Sequence, residues 1–562
     1  MLNWLKDIPK PIWIFTAVWF VAGVLQASLM DLHPDEAYYW QMSRYMDWGY
    51  FHQPPMIAVF IKIGYALFQN ELGVRLMTVI SSTLGIPILF KLSETRSPKT
   101  FILIFLGLIL THAGVFMAVP DSPLIFFTLV FLVLLRVYLK EDKLLTAIGL
   151  GIIAAALMYS KYHAIVLFAS VILSVPKLLL RKTFWITAIL AMTLFIPHVI
   201  WQFEHDLVSF KFHWIVREKK VWDIMVLLDY LAGQLIMLGP VGLILVFSLV
   251  KSKNTSDFNR ALTAIVIGFF GFFFLLALRG KVEANWTATA FLPLIILGSR
   301  NIPSQEKLNR ILKPTAVICT SILIAARVYV ASPWAGDGIK LSFPLKGWKK
   351  WASAIKEKAD GKPVFFIASY QLPSQYSFYS GDQAYHFSPI NYNGNQFELW
   401  DIDSKHFGKS IALVSGLGKN NVNLVKTPGF RKFYVYNKTD YHSYRNLRFE
   451  FDNTLIQRIT SETLVLNGHL VNRTQESVNL NKLIEQQPPM IFFYVNGSHL
   501  PIAKVNCEGC SGIILSGESK PVSFNLQVPD NPGKYFFRFG WGFAFGMSEQ
   551  SSDFMKLQVT EK

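Results

Sequence analysis

The chain is poor in cysteine, with three among 562 residues, too few for the disulfide framework that staples small secreted domains. Cys319 lies in an apolar run, where a thiol packs as a small hydrophobe. Cys507-Glu-Gly-Cys510 lacks both the two further ligands a zinc site needs and the strand-to-helix setting of a redox motif. A local disulfide in an oxidising compartment is the expectation for that pair. Acidic residues are also scarce, 37 against 54 lysines and arginines, for a formal charge of +17. No basic stripe interleaved with aromatics accompanies the excess, which argues against nucleic-acid binding. No small-residue cleavage site follows the first apolar run, Trp13 to Met30, which is too long for a signal-peptide core. That run reads as a retained first span.

What the chain has in quantity is apolar residue, 52% of the total, concentrated before about residue 331. The runs approach the ~20 residues that a helix needs to cross ~30 Å of hydrocarbon. They fall at 12–30, 74–92, 101–119, 123–139, 144–160, 163–177, 183–203, 225–250, 260–278, 286–299 and 311–331, about eleven candidate spans. The remainder alternates like globular sequence. The expected organisation is a multi-span membrane domain over 1–331, an extracytoplasmic α/β domain over 332–440 and a β-rich, sandwich-like domain over 441–562. Within the last, 464–471, 491–495, 522–528 and 535–539 read as strands of a small antiparallel sandwich, with turn chemistry at Asn496-Gly and Asp530–Gly533.

Basic residues set the orientation. With the N-terminus in the cytoplasm, alternate loops hold Lys91, Arg96 and Lys99; Arg136, Lys140 and Lys143; Lys177, Arg181 and Lys182; Lys251, Lys253 and Arg260; and Arg300, Lys307 and Arg310. This is the positive-inside pattern, repeated at every inside loop. The same parity puts Asp35, Glu36, Asp121, Lys161, Arg279, Lys281 and Glu283 outside, together with everything after about residue 331. One outside segment, 204–222, breaks the rule with Lys211, Arg217, Lys219 and Lys220. It reads either as a solvated amphipathic loop or as a contact for an anionic ligand.

The first outside loop runs from Asp31 through His33-Pro-Asp-Glu-Ala-Tyr-Tyr-Trp40 to Gly49-Tyr-Phe-His-Gln-Pro-Pro55. Residues 35–46 suit a surface helix with interfacial aromatics, begun by Pro34 and carrying its two acids in the first turn. Helix-start chemistry therefore accounts for Asp35 and Glu36 without invoking function. Asp121 sits in Val119-Pro-Asp-Ser-Pro-Leu124, a tight turn where a carboxylate is costly unless paired or functional. Lys161 occupies a similar turn, where snorkelling is the ordinary explanation. Taken together, the acids and the lysine make an outward cluster able to accept a proton and to hold a phosphate. That combination suits transfer of a sugar from a polyprenyl phosphate. The leaving phosphate needs a cation, the acceptor needs a base, and one carboxylate then suffices for an inverting displacement.

The loop motifs, followed by Pro120-Asp-Ser-Pro-Leu-Ile-Phe-Phe127, resemble glycosyltransferase family 39, the group of protein O-mannosyltransferases and bacterial aminoarabinose lipid A transferases. Lys161-Tyr162 and Glu283-Ala-Asn-Trp286 are similar to later turns of that family, and Ser369-Tyr-Gln, Phe378-Tyr-Ser-Gly and Asn395–Trp400 extend the likeness to about residue 435. The resemblance implies a GT-C-like helical membrane fold and a polyprenyl-phosphate sugar donor. It also implies Asp35 as the base, Glu36 beside it, Asp121 as a second acid and Lys161 on the donor phosphate. Tyr162, His52, Gln53, Arg279, Lys281, Glu283, Lys219 and Lys220 complete the expected substrate contacts. Gln53-Pro54 departs from relatives with Lys-Pro, and Gln-Pro-Pro from others with His-Pro-Pro. The implied setting is a bacterial inner membrane, the implied acceptor a lipid A, another glycan or a protein. No spacing demands a metal, and a divalent cation stays open as a cofactor. The competing classes are a transporter or flippase of a lipid-linked sugar, for which mid-membrane charges and repeats are expected and not seen, and a non-catalytic scaffold.

Overall fold

The structure is a computed structural model and describes residues 7–561 except 115, 213–223, 251–255, 337–343, 368, 393, 417, 419–422, 427–429, 431, 453–454, 461–462, 496–497 and 544–546. The chain packs as two units, one built from Met1–Lys211 and Trp222–Gly347, the other carrying Trp348–Lys562.

The first unit is helical. In chain order it comprises α1 (Lys10–Leu29), α2 (Pro34–Arg44), α3 (Met56–Leu67), α4 (Glu71–Ser93), α5 (Pro98–Leu106), α6 (Ile109–Ala113), α7 (Asp121–Lys140), α8 (Leu144–Ser160), α9 (Ala164–Ser174), α10 (Lys182–Glu204), α11 (Val208–Lys211), α12 (Ile224–Val250), α13 (Asp257–Ala277), α14 (Phe291–Asn301) and α15 (Glu306–Ala331). Among the described residues seven helices, α1, α4, α7, α10, α12, α13 and α15, are long and apolar enough to cross a membrane. The expected count of about eleven is not confirmed by these seven, and three shorter apolar helices, α3, α8 and α9, accompany them. The run 101–119 splits into α5 and α6 because Leu108 turns extended, at φ −99° and ψ 127°. The run 163–177 ends early because Pro176 pushes the preceding Val175 out of the helical region, to φ −135° and ψ 66°. In 286–299 the first turns are a 3₁₀ segment, Ala284–Ala290, and α14 supplies only 11 helical residues, about 17 Å of rise. α8 keeps its predicted bounds at 17 residues. α3 is apolar but 12 residues long, too short for the hydropathy pattern to mark it as a span.

Loops grouped by the charge pattern meet one another. Glu94 pairs with Arg136 and, at 3.2 Å, with Arg300, and Asp257 pairs with Arg260 and, at 2.5 Å, with Lys177. Lys251 and Lys253 lie outside the described residues. α7 carries Arg136 near its last turn and Asp121 at its first residue, so the acidic turn sits at the opposite end of that helix.

The second unit begins with α16 (Trp348–Ala359), whose Trp348 and Trp351 are fully buried. There follow β1 (Val364–Ile367), α17 (Gln371–Ser380), β2 (Ala384–Phe387), α18 (Gln396–Trp400), β3 (Ile411–Ser415), β4 (Leu424–Val425) and β5 (Phe433–Lys438). They form a sheet of order β2-β1-β3-β5-β4, parallel around β1 and antiparallel from β3 onward. The tail adds β6 (Leu447–Glu450), β7 (Leu455–Ile459), β8 (Thr463–Asn472), β9 (Val478–Asn479), α19 (Leu480–Gln486), β10 (Pro489–Val495), β11 (Ser498–His499), β12 (Ala503–Lys504), β13 (Cys507–Glu508), β14 (Ile513–Ile514), β15 (Ser519–Gln527), β16 (Gly533–Gly542), β17 (Ser548–Gln550) and β18 (Met555–Thr560). A four-stranded sheet, β13-β15-β8-β6, faces a larger one, β11-β10-β16-β18-β7, across a core that includes Leu466, Phe524, Phe537, Phe539 and Trp541. Alternation on β8 and β15 puts their apolar residues inside. The larger sheet is mixed rather than antiparallel, because β7 pairs parallel to β18. The Asn496-Gly turn lies outside the described residues.

Within the helical unit, one buried ion pair organises the elements that present Asp35, Glu36 and Asp121. Pro34 opens α2, and His33 caps it: its ring accepts from the Asp35 amide while Glu36 accepts from the His33 amide. Arg75, fully buried on α4, spends all five of its N–H donors. Nε and one terminal nitrogen hold Glu36, at 2.8 and 2.5 Å, and the others reach the carbonyls of Ala27, Met30 and Asp31 at 2.7–3.0 Å. Glu36 also accepts from the Ala118 amide at 2.9 Å. The end of α1, the start of α2, α4 and the turn before α7 are thus tied at one point. Deleting one partner of such a pair strands a buried charge, at a cost of about 3–5 kcal/mol. The Arg75→Ala protein is therefore expected to show a clearly lower unfolding midpoint in detergent than the parent; an unchanged midpoint would contradict this role.

Candidate active site

Asp121 is the first residue of α7 and is largely buried. Its Oδ1 accepts from Lys161 Nζ at 2.8 Å and its Oδ2 from Asn285 Nδ2 at 2.9 Å. Lys161 comes from the turn after α8 and Asn285 from the 3₁₀ segment after Glu283, so three separate turns converge on one carboxylate. The Ala118 amide bond to Glu36 joins this turn to α2, three residues before Asp121.

The two acids of α2 have different surroundings. Glu36 is 1% exposed, with both oxygens doubly engaged. Burial opposes its charge, but Arg75 and the Ala118 and His33 amides outweigh burial and hold its carboxyl below the usual range. Asp35 is 37% exposed and lies 3.6 Å from the His33 ring nitrogen. Only one of the pair therefore reaches solvent.

The rest of the first loop is strapped to α10. Trp201 donates its indole N–H to Asp47 at 2.7 Å, and His198 donates from Nδ1 to the Trp48 carbonyl at 2.7 Å. A carbonyl can only accept, so the neutral ring leaves Nε2 to accept from Tyr162 OH, 2.8 Å away. Gln202 donates to Tyr162 OH and Ser209, and Ser209 donates to the Tyr50 carbonyl. Gly49 is required here, since a Cβ would stand 2.3 Å from the Trp201 ring. Burial pushes the Tyr162 phenol up to about 12, so it stays a neutral donor at physiological pH. Tyr50, fully buried, bonds the carbonyls of Met42 and Tyr45 and closes the loop on α2.

The other expected contacts are placed less centrally. His52 stacks near Phe51 and Tyr38, with ring centroids at 4.8 and 6.3 Å. Gln53 is buried, its side-chain amide against Met42 sulfur and its backbone paired with Tyr50. Lys281 and Glu283 pair with each other at 2.8 Å in an exposed position, and Arg279 is exposed too. Lys219 and Lys220 lie outside the described residues. Among the described residues no three His, Cys, Asp or Glu side chains gather as a metal-ligand set. Sequence reading missed Arg75, whose signal was a lone arginine at the head of an apolar run, and gave no role to Asn285, although its motif was in view. His198 and Gln202, both on α10, were missed as well.

Seven membrane-length helices make this a multi-pass membrane protein. No curated protein matches the chain. Residues 52–201, about a quarter of the chain, match the family described as dolichyl-phosphate-mannose-protein mannosyltransferase. The stretch includes His52, Gln53, Arg75, Asp121, Lys161, Tyr162, His198 and Trp201, most of the residues just described. Over that stretch the chain is similar to the dolichyl-phosphate-mannose-protein mannosyltransferase family, which lies within the GT-C group of glycosyltransferases.

Proposed function

We propose that the protein transfers a sugar from a polyprenyl-phosphate carrier to an acceptor on the outer face of a bacterial inner membrane, with inversion at the anomeric carbon. The observation that carries this reading is the convergence of Asp121, Lys161 and Asn285 at the end of the bundle from which α2 projects Asp35. The acceptor is a lipid A, another glycan or a protein, and Asp35 takes the proton from its attacking group. Of the three acids, Asp35 is the most open to solvent, its side chain 37% exposed against 11% for Asp121 and 1% for Glu36. Glu36 is fully engaged by Arg75 and two amides and serves to aim α2 rather than to move a proton.

Lys161 stabilises the leaving phosphate. Its ammonium has three N–H bonds and gives one to Asp121, which leaves two for phosphate oxygens. Asp121 and Asn285 orient that ammonium. A phosphate leaves without help from an acid, so cationic stabilisation is the larger requirement. Tyr162 bonds His198 and Gln202 on α10, the helix that holds the first loop. The exposed pair Lys281–Glu283, with Arg279, and the basic segment containing Lys219 and Lys220 offer secondary contacts for an anionic donor or acceptor. A flippase would need charged groups on a path through the bilayer.

The test is sugar transfer by purified protein in nanodiscs, from a panel of radiolabelled polyprenyl-phosphate sugars to membrane extract. Asp35→Asn should lose at least ~10²-fold in turnover, the scale of a general base, while keeping donor binding and its unfolding midpoint. Full activity in that variant would remove Asp35 from the mechanism. Movement of labelled lipid across a liposome bilayer without transfer would favour the flippase. In the same assay Lys161→Ala should slow turnover and weaken donor binding together. Asn285→Ala should have a smaller effect in the same direction, about 1 kcal/mol for one lost hydrogen bond. An Asn285→Ala protein as impaired as Lys161→Ala would contradict a purely orienting role.

A further inference from the structure

The unassigned feature with the clearest chemistry lies in the second unit, on the outer face of the sheet β13-β15-β8-β6. Strand register sets Glu508 opposite Ser523 and Ser523 opposite Asn467, and Asp452 follows two residues beyond the end of β6, where Glu450 pairs with His469. Four polar side chains thus lie in one row across the strands. With strands ~4.8 Å apart, the row is about 14 Å long. These residues and His469 line a cavity of about 350 Å³.

The row is polar without being paired. Among the described residues nothing hydrogen-bonds the side chains of Asp452, Asn467 or Ser523, and Glu508 accepts a single bond, from Asn525 at 3.1 Å. The Cys507–Cys510 disulfide brackets Glu508 and Gly509. Gly509, at φ +88°, presses so near β15 that a Cβ would stand 2.4 Å from the Pro521 carbonyl. The wall that carries Glu508 is therefore held by a covalent link and a glycine contact.

The chemistry of the row selects its ligand. Carboxylates at both ends only accept, while the amide and hydroxyl between them both donate and accept. No lysine or arginine lines the cavity, which disfavours phosphate or carboxylate ligands. The main-chain groups of β8 and β15 are already spent on each other, so an added peptide strand would find no partners on this face. A ligand rich in hydroxyl groups satisfies every position.

We propose that this trough binds a neutral oligosaccharide, laid across the strands and held by side-chain hydrogen bonds. The inference does not depend on the transferase reading, because binding is measured without turnover. Full-length protein in nanodiscs would be titrated with neutral tetrasaccharides of glucose, mannose, galactose and N-acetylglucosamine, with a phosphorylated mannose oligosaccharide as the opposing probe. Saturation-transfer NMR and calorimetry would report binding. At least one neutral probe should bind by millimolar concentration, more tightly than the phosphorylated one. Asn467→Ala and Glu508→Gln should each weaken it about fivefold to tenfold, as expected for lost side-chain hydrogen bonds. Both positions are exposed, and the unfolding midpoint should stay at the parental value. Absence of binding by every neutral probe, preference for the phosphorylated one, or parental affinity in both variants would overturn the proposal.

Discussion

The Glu36–Arg75 ion pair is the constraint on which the arrangement of the acidic end of the helical unit depends. A guanidinium at full burial has no water to satisfy it, so each donor must find a protein acceptor. The acceptors it finds belong to the last turn of α1, the loop after it and the first turn of α2. Glu36 carries the linkage onward to the Ala118 amide, and so to the turn that presents Asp121. One charge on α4 thereby sets the relation between the two acidic turns, and the pair's low tolerance of change follows from its burial. Asp35, the neighbour of Glu36, is left on the exposed side of a helix whose position is already decided.

This explains why three carboxylates at one end of the bundle have three separate environments. Glu36 is locked by a cation and two amides, Asp121 is held by a cation and an amide side chain, and Asp35 is the most exposed of the three, 3.6 Å from the His33 ring. The proposed transfer, with its acidic leaving group, needs one base and one well-aimed cation, the two roles proposed for Asp35 and Lys161. The first loop is secured separately, by Trp201 and His198, so that α10 holds the far end of the segment that α2 begins.

Much of this was legible in the residues. Pro34 followed by two acids announced the start of α2, and Asp121 and Lys161 stood out because charge in a minimal turn at the membrane boundary needs a reason. What the pattern could not convey was pairing. Lys161 and Asp121 are 40 positions apart, and Asn285 is 164 from Asp121, so their meeting is a property of the packed bundle. Arg75 escaped notice because a single arginine hardly disturbs the hydropathy of its run, and its partner Glu36 already had an explanation as a helix-start acid. The span count is left unconfirmed for a related reason: hydropathy registers apolar length, whereas Leu108 and Pro176 break that length into pieces through backbone geometry. In the tail, alternation located β8, β10, β15 and β16, but the parallel pairing of β7 with β18 joins segments about a hundred residues apart and leaves no local trace.

The proposed reaction is a single displacement, with one working carboxylate and a departing phosphate. The most direct measurement is the anomeric configuration of the transferred sugar, followed by NMR from a donor of known configuration. Inversion is the predicted result, since the acceptor attacks the face opposite the phosphate. Retention would require a covalent sugar–enzyme intermediate and a second reactive carboxylate, and would contradict the assignment of Glu36 and Asp121 to fixed structural bonds.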